Sequence, residues 1–442
     1  MQIYKSFGNF MERFKSKRVH IILEKDGMKV LMLGWEFPPY FAGGAGIVCY
    51  ELTKEMVKMD DVDMTYVMPF GPEEVLEQHL RVLIANNFKG KKIKFKRIPS
   101  LLGAYTSQKE YSQTKRLIDQ KRAKMGIDNT TSLYGENLLE EVYNFAERVN
   151  TIVDDESFDV VHAHDWTTFP AAIRASEEMK KPLIVHMHIT EFDKSGGNGA
   201  DPHIYSIEKE GMEKADKIIA ISEKVKDGLV KNYGIDPAKI EIVYHAKIDL
   251  GPDKNLDFPK FKDKNKVILY AGRMTLQKGP DYFIEAAKKV TNFYKNVIFI
   301  MAGSGDQMNA MIERTAQLGI SDKFLFHGFY TRDEANQFFN LADVFVMPSV
   351  SEPFGLVPFE AMGKNTPTII SKQSGASEIL SNVLKVDFWD TDRMADQIVS
   401  VLRHKELSGT MKKEGKSEVE KLTWDKPARR CVDIYKDLIG KK

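Results

Sequence analysis

The chain has 442 residues, enough for two domains of ordinary size, each with its own core. Its hydrophobic content of 43% and charged content of 29% exclude a disordered protein. The 64 basic and 63 acidic residues leave a net charge of +1, which excludes a general attraction to nucleic acid or anionic membrane. Any bound anion must therefore be held by local Lys and Arg. No apolar run is long enough to span a membrane, and the two cysteines, Cys49 and Cys431, do not make a disulfide scaffold. A soluble cytoplasmic protein is expected.

Residues 1–27 read as an N-terminal extension, with a basic cluster at Lys15, Lys17 and Arg18 and no apolar segment of a signal peptide. Continuous apolar runs at 30–33, 64–68, 160–164, 183–188 and 217–221 read as buried strands. The stretches 46–58, 138–153 and 169–179 between them read as helices. Residues 71–135 are polar and lose this pattern, as an insertion carrying one or two helices would. Between 246 and 266 the sequence becomes Pro-, Lys- and Asp-rich, a linker. Alternation restarts with strands at 267–271, 297–302, 324–327, 344–347 and 368–370. Continuous apolar strands separated by helices imply parallel sheet covered on both faces. The expected architecture is α/β, two doubly wound domains over 28–250 and 251–425 with a hinge near 255, and a closing helix over 426–442. Such sheets bind ligands beyond the carboxyl ends of their strands, so residues just after strands carry the search for function.

Four segments stand out. After strand 267–271, Arg273 and Lys278 share a loop with Gly272 and Gly279 before a helix starting at Pro280; two cations beside a helix N-terminus suit a pyrophosphate. A pair of solvated surface cations would read the same way. Gly303 after strand 297–302 and Tyr330 after strand 324–327 are weaker signals: the first permits close approach of a ligand or makes a tight turn, the second can flank a nucleobase. The strongest is Ser351-Glu352-Pro353-Phe354-Gly355-Leu356-Val357-Pro358-Phe359-Glu360, in which two carboxylates eight residues apart suit sugar diols. In the first half, Gly43 and Gly44 open a helix after the first strand, leaving amides for an anion. His162, His164 and Asp165-Trp166 end one strand, and His186 and His188 end the next. Paired H-x-H sequences invite a metal reading; hydrogen-bonded core histidines are the commoner explanation, and no metal or cofactor is expected.

Taken together, Gly43-Gly44, His162-Ala163-His164-Asp165-Trp166, Gly272-Arg273 with Lys278-Gly279, and Glu352 with Glu360 resemble the retaining glycosyltransferases of the GT-B fold. Within them the sequence is similar to the glycogen and starch synthases, over roughly residues 28–440. The resemblance implies transfer of a hexose, glucose by analogy, from ADP- or UDP-glucose to a saccharide or glucan acceptor. Arg273 and Lys278 would hold the diphosphate, Glu352 the transferred sugar and Glu360 the ribose. Gly43, Gly44, Gly303, Tyr330, Phe354, Gly355 and Leu356 would complete the donor site. His188 would face the reacting sugar, with His164, Asp165 and Trp166 on the acceptor side. The sequence departs from the family pattern in carrying Phe41-Ala42 before the glycine pair and His245-Ala246-Lys247-Ile248-Asp249 without the usual Asn. A nucleotide-sugar epimerase of the same fold and a non-catalytic glycan-binding relative are the other readings.

Overall fold

A computed structural model of the chain describes residues 27–38, 44–59, 61–69, 80–85, 138–197, 199–253 and 259–440. Its strands form two parallel sheets. The first has the order β3-β2-β1-β4-β5-β6-β7, with β1 (Met28–Leu33), β2 (Val62–Met68), β3 (Arg81–Ile84), β4 (Val160–His164), β5 (Leu183–Met187), β6 (Lys217–Ala220) and β7 (Ile240–Ile242). The second has the order β10-β9-β8-β11-β12-β13, with β8 (Lys266–Ala271), β9 (Val297–Ala302), β10 (Phe324–Gly328), β11 (Val344–Met347), β12 (Thr368–Ser371) and β13 (Leu384–Val386). Strand order reverses between β1 and β4 in one sheet and between β8 and β11 in the other. At such a point adjacent loops leave in opposite directions and open a crevice.

The central strands are buried on both faces, which is why they read as unbroken apolar runs: Val30, Leu31, Met32 and Leu33 are wholly buried, as are Val267, Ile268 and Leu269. Three strands escaped the sequence pattern, β3, β7 and β13, and all three are sheet edges with partly exposed residues. β3 also corrects the expected insertion over 71–135, because residues 81–84 pair with Thr65 to Met68 of β2. The rest of that segment, the extension up to residue 26 and the hinge position 255 lie outside the described residues. The linker expectation holds no free chain where it is described: Lys262 and Lys266 both pair with Asp343, at 2.5 and 3.0 Å.

The last helix, Asp425–Ile439, packs on helix Gly44–Met56 of the first sheet, burying Ala428, Cys431, Val432 and Tyr435 with Val48, Cys49 and Leu52. Both cysteines are thus free thiols in one core.

Glycines fix the loops of the second sheet. Gly279 sits at φ 61°, and a Cβ there would run into the Pro348 carbonyl oxygen. Gly279→Ala must therefore strain the backbone and part the loops after β8 and β11, at a cost of about 1–3 kcal/mol or more. Thermal melting should show a Tm lowered by several degrees; an unchanged Tm would mean the loops are not packed as described.

Candidate functional site

The loop after β8 runs from Gly272 through a tight turn at Leu276–Lys278 to Gly279, whose left-handed φ hands the chain to Pro280 at the start of helix Pro280–Phe293. The loop after β11 is laced to it, Val350 donating its amide to Gln277 O at 2.9 Å. Glu352 is held in extended backbone beside Ser374, with its amide bonded to Gln373 O and its carbonyl to Gly375 N, both at 3.0 Å. Lys278 Nζ bonds to the Glu352 carboxylate, and Ser349 Oγ donates to the same oxygen at 3.3 Å. The structure so brings Lys278 and Glu352 together at the point where strand order reverses. Glu352 is only 6% exposed, so its charge depends on that lysine. Arg273 lies on the same loop, exposed, its carbonyl fixed by the Tyr270 hydroxyl at 2.8 Å.

The helix after Glu352 begins only at Val357, so Glu352 stands on the loop and Glu360 on the helix. Glu360 is half-buried; burial lifts its carboxyl to about 7 against the opposing pull of Arg332. Tyr330 is half-buried against Phe338, while its neighbour Phe329 is exposed. Gly303 is explained by packing: a Cβ there would meet the Gly272 carbonyl, and its amide donates to Gly328 O at 2.7 Å, tying three loops together. Phe354 points inward, stacked on Phe359 at 5.3 Å and edge-on to His245 at 5.0 Å, and its carbonyl accepts from Ala376 N at 2.7 Å and Ser374 Oγ at 3.1 Å. Gly355, at φ 94°, turns the chain, and Leu356 lies against Gly44 of the first sheet.

Across the crevice, Gly44 starts the helix after β1; Gly43 lies outside the described residues. Asp165, after β4, adopts φ 58° and ψ 166°, a region that costs a non-glycine residue about 1–3 kcal/mol. The strain is held by its carboxylate, which accepts from the amides of His188 at 2.8 Å and Ile189 at 3.4 Å. Burial lifts this carboxyl to about 7 despite those bonds. Asp165 thus faces the backbone after β5 and sets the position of His188. His164 Nδ1 lies 2.8 Å from His188 Nε2, and Trp166 is buried with Lys194 Nζ 5.8 Å above its ring. A small pocket bounded by Trp35, Glu36, Gly46, Cys49, His164 and Asp165 opens at the reversal between β1 and β4.

Several residues that join the two halves were missed in the sequence. Ser222 Oγ donates to Pro353 O at 2.7 Å. Lys224 Nζ bonds Asp193 at 3.0 Å and Ser351 Oγ at 2.8 Å, and Ser351 donates to Asp193 at 2.8 Å. Glu378 caps helix Glu223–Tyr233, accepting from the amides of Glu223 and Lys224 at 2.8 Å each. Burial would raise the Asp193 carboxyl, but Lys224, Ser351 and Thr190 outweigh it and hold it low. The one local signal was Thr190-x-x-Asp193, a capping box at helix Glu191–Lys194.

Two parallel-sheet Rossmann-like domains, with such residues at both reversal points, define a glycosyltransferase of the GT-B fold. Residues 253–418 match the family Glycosyl transferases group 1 and residues 126–246 match Glycosyltransferase Family 4, so both halves of the chain carry glycosyltransferase domains. An uncharacterized glycosyltransferase of Methanocaldococcus jannaschii is 26% identical over 92% of this chain and 98% of its own. Glycogen synthase of Mycobacterium tuberculosis is 24% identical over 80% of each chain. Among solved structures, sucrose-phosphate synthase of Thermosynechococcus elongatus has a TM-score of 0.69 at 19% identity, covering 94% of this chain and 100% of its own. The catalytic domain of starch synthase IV from Arabidopsis thaliana, bound to ADP and acarbose, has a TM-score of 0.67 at 14% identity, covering 94% and 100%. These structural likenesses carry the fold.

The Lys278–Glu352 pair yields a prediction. Lys278→Ala leaves a buried carboxylate without its cation and should destabilise by about 1–3 kcal/mol. Adding Glu352→Gln should restore most of the lost Tm without restoring sugar transfer. Strictly additive melting effects would show that the two side chains are not coupled.

Proposed function

We propose that the protein is a retaining hexosyltransferase that moves glucose from a nucleoside diphosphate glucose to a saccharide acceptor. The observation that carries this reading is the pair of half-buried Lys278 and buried Glu352 at the β8/β11 reversal, with Arg273 on the same loop: cations for a diphosphate stand against a carboxylate for sugar hydroxyls. Two solved relatives support the donor class, Anabaena Alr3699/HepE in complex with UDP and glucose and starch synthase IV bound to ADP and acarbose.

In this reading Arg273 and Lys278 stabilise charge developing on the leaving diphosphate, a role that needs no metal. The bond from the anomeric carbon to the diphosphate breaks, and the acceptor hydroxyl adds to the same face. Its proton passes to the departing phosphate oxygen. Glu352 orients the sugar hydroxyls, and the His188 carbonyl, steadied through the Asp165 bond to the His188 amide, faces the cationic ring. Gly44, Gly355 and Leu356 contribute backbone amides; Tyr330 and Glu360 hold the nucleoside. His164 and Trp166 border the acceptor. Free buried thiols fit a reducing compartment, and we place the protein in the cytoplasm.

Incubation with ADP- and UDP-glucose and a panel of saccharides should release nucleoside diphosphate and give a product whose anomeric configuration, by NMR, matches the donor. An inverted product, or epimerised donor with no transfer, would overturn the proposal. Lys278→Ala with Glu352→Gln, and Arg273→Ala, should each reduce turnover on the order of 10²–10³-fold.

Glu360 adds a pH dependence. Its folded carboxyl titrates near 7 instead of 4.5, so ionising it costs stability as pH rises through that window. Ribose hydroxyls donate to the ionised form and favour it. Affinity for nucleoside diphosphate should therefore rise roughly tenfold between about pH 6 and about pH 8, and Glu360→Gln should flatten the profile. A calorimetric titration in which both proteins show the same slope would remove Glu360 from the ribose site.

A further inference from the structure

Five buried histidines stand side by side below the carboxyl edge of the first sheet: His162, His164, His186, His188 and His245. They form two hydrogen-bonded rows, His162 with His186 at 3.3 Å and His164 with His188 at 2.8 Å. The rows stack, with the His186 and His188 rings 4.4 Å apart and 13° from parallel. The site assigned above uses only part of this array.

One arrangement of protons along a relay leaves lone pairs free for a cation. The Tyr435 hydroxyl lies 2.5 Å from His162 Nδ1 and donates to Met56 Sδ at 3.9 Å. With the hydroxyl proton on the Met56 side, His162 Nδ1–H donates to Tyr435 and His162 Nε2 accepts from His186 Nδ1–H. The lone pair of His186 is then on Nε2. In the second row, with His188 as the donor from Nε2–H to His164 Nδ1, the lone pair of His188 is on Nδ1. These two atoms and both ring nitrogens of His245 are buried without a hydrogen-bond partner among the described residues. His186, His188 and His245 each bring a ring nitrogen within 4.8 Å of the other two. Burial, joined at His186 and His245 by repulsion from neighbouring imidazoles, keeps all three neutral.

The geometry points to a binding site for a zinc-type divalent cation held by His186, His188 and His245. Neutral imidazole is a preferred ligand of Zn²⁺, and bonds of about 2.0–2.1 Å set nitrogens roughly 3.4 Å apart, so the three nitrogens close by up to about 1.4 Å and the stacked His186 and His188 rings tilt until each plane passes through the ion. His162 and Tyr435 orient the ligand His186 from behind, as outer partners of metal-bound imidazoles do. Zn²⁺ bound here fixes the His188 ring, and with it the carbonyl of the same residue that faces the donor sugar, so bound metal should weaken donor binding. This consequence rests on the proposed role of His188; zinc binding itself does not.

The test uses the full chain, Zn²⁺ alone titrated against a chromophoric chelator, and Co²⁺ as a spectroscopic substitute. One Zn²⁺ per chain, a Tm that rises with Zn²⁺, and visible Co²⁺ bands of a low-coordinate imidazole site are expected. His245→Ala should weaken binding by at least about 100-fold and Tyr435→Phe by about 10–100-fold, while His203→Ala, on an exposed helix start, leaves it unchanged. A wild-type protein showing neither a Tm rise nor Co²⁺ bands overturns the site, as does equal affinity in a folded His245→Ala. Zn²⁺ should also raise the KM for donor; zinc that binds through His245 yet leaves KM unchanged supports the site and overturns the sugar contact of His188.

Discussion

The reversal of strand order, between β1 and β4 in one sheet and between β8 and β11 in the other, is the constraint on which the rest of the molecule depends. Parallel strands all deliver their loops to one edge, and only at a reversal do neighbouring loops diverge enough to admit a ligand. The chain spends its unusual chemistry at these two places. Lys278 and Glu352 meet at the second, while Asp165, in strained backbone, meets the amide of His188 beside the first. Side chains that would be costly elsewhere in a core are kept there by partners on the adjacent loop.

The seam between the halves uses a different currency of interaction. Pro353 lends its carbonyl to Ser222, and Gly375 is a glycine because a Cβ would fall on that same carbonyl. Glu378 supplies the N-terminal cap of a helix in the other domain, and Lys224 lies between Asp193 and Ser351. These polar contacts run beside an apolar part of the seam, where Tyr244 and His245 meet Phe354 at 6.4 and 5.0 Å and one core cluster takes residues from both sheets.

Much of this was legible in the sequence, for a physical reason. Central parallel strands are buried on both faces and read as unbroken apolar runs, so the order of strand, loop and helix could be followed, and with it the loops that bring Lys278 to Glu352. Edge strands β3, β7 and β13 are short and half-wet, and left no such trace. Gly303 read equally as room for a ligand or as a tight turn; it makes room for the Gly272 carbonyl. The residues of the seam could not be read, because Asp193 and Ser351, or Lys224 and Glu378, meet only through the tertiary fold; neither periodicity nor local motif encodes the pairing. His245 joined the other histidines for the same reason, from a segment whose sequence showed only a missing Asn.

The returning helix Asp425–Ile439 means that the polypeptide passes between the domains twice. The two passages lie side by side: Lys247 donates its amide to Leu422 O at 3.0 Å, and Trp424 Nε1 donates to Lys247 O at 2.9 Å. One strand of chain is a swivel, free to turn in any direction. Two strands bonded to each other form a strip, which bends readily about one line and resists twisting about the others. The domains are thus mounted like the covers of a book, whose opening swings the loops after β8 and β11 away from those after β1 and β4 along a single arc.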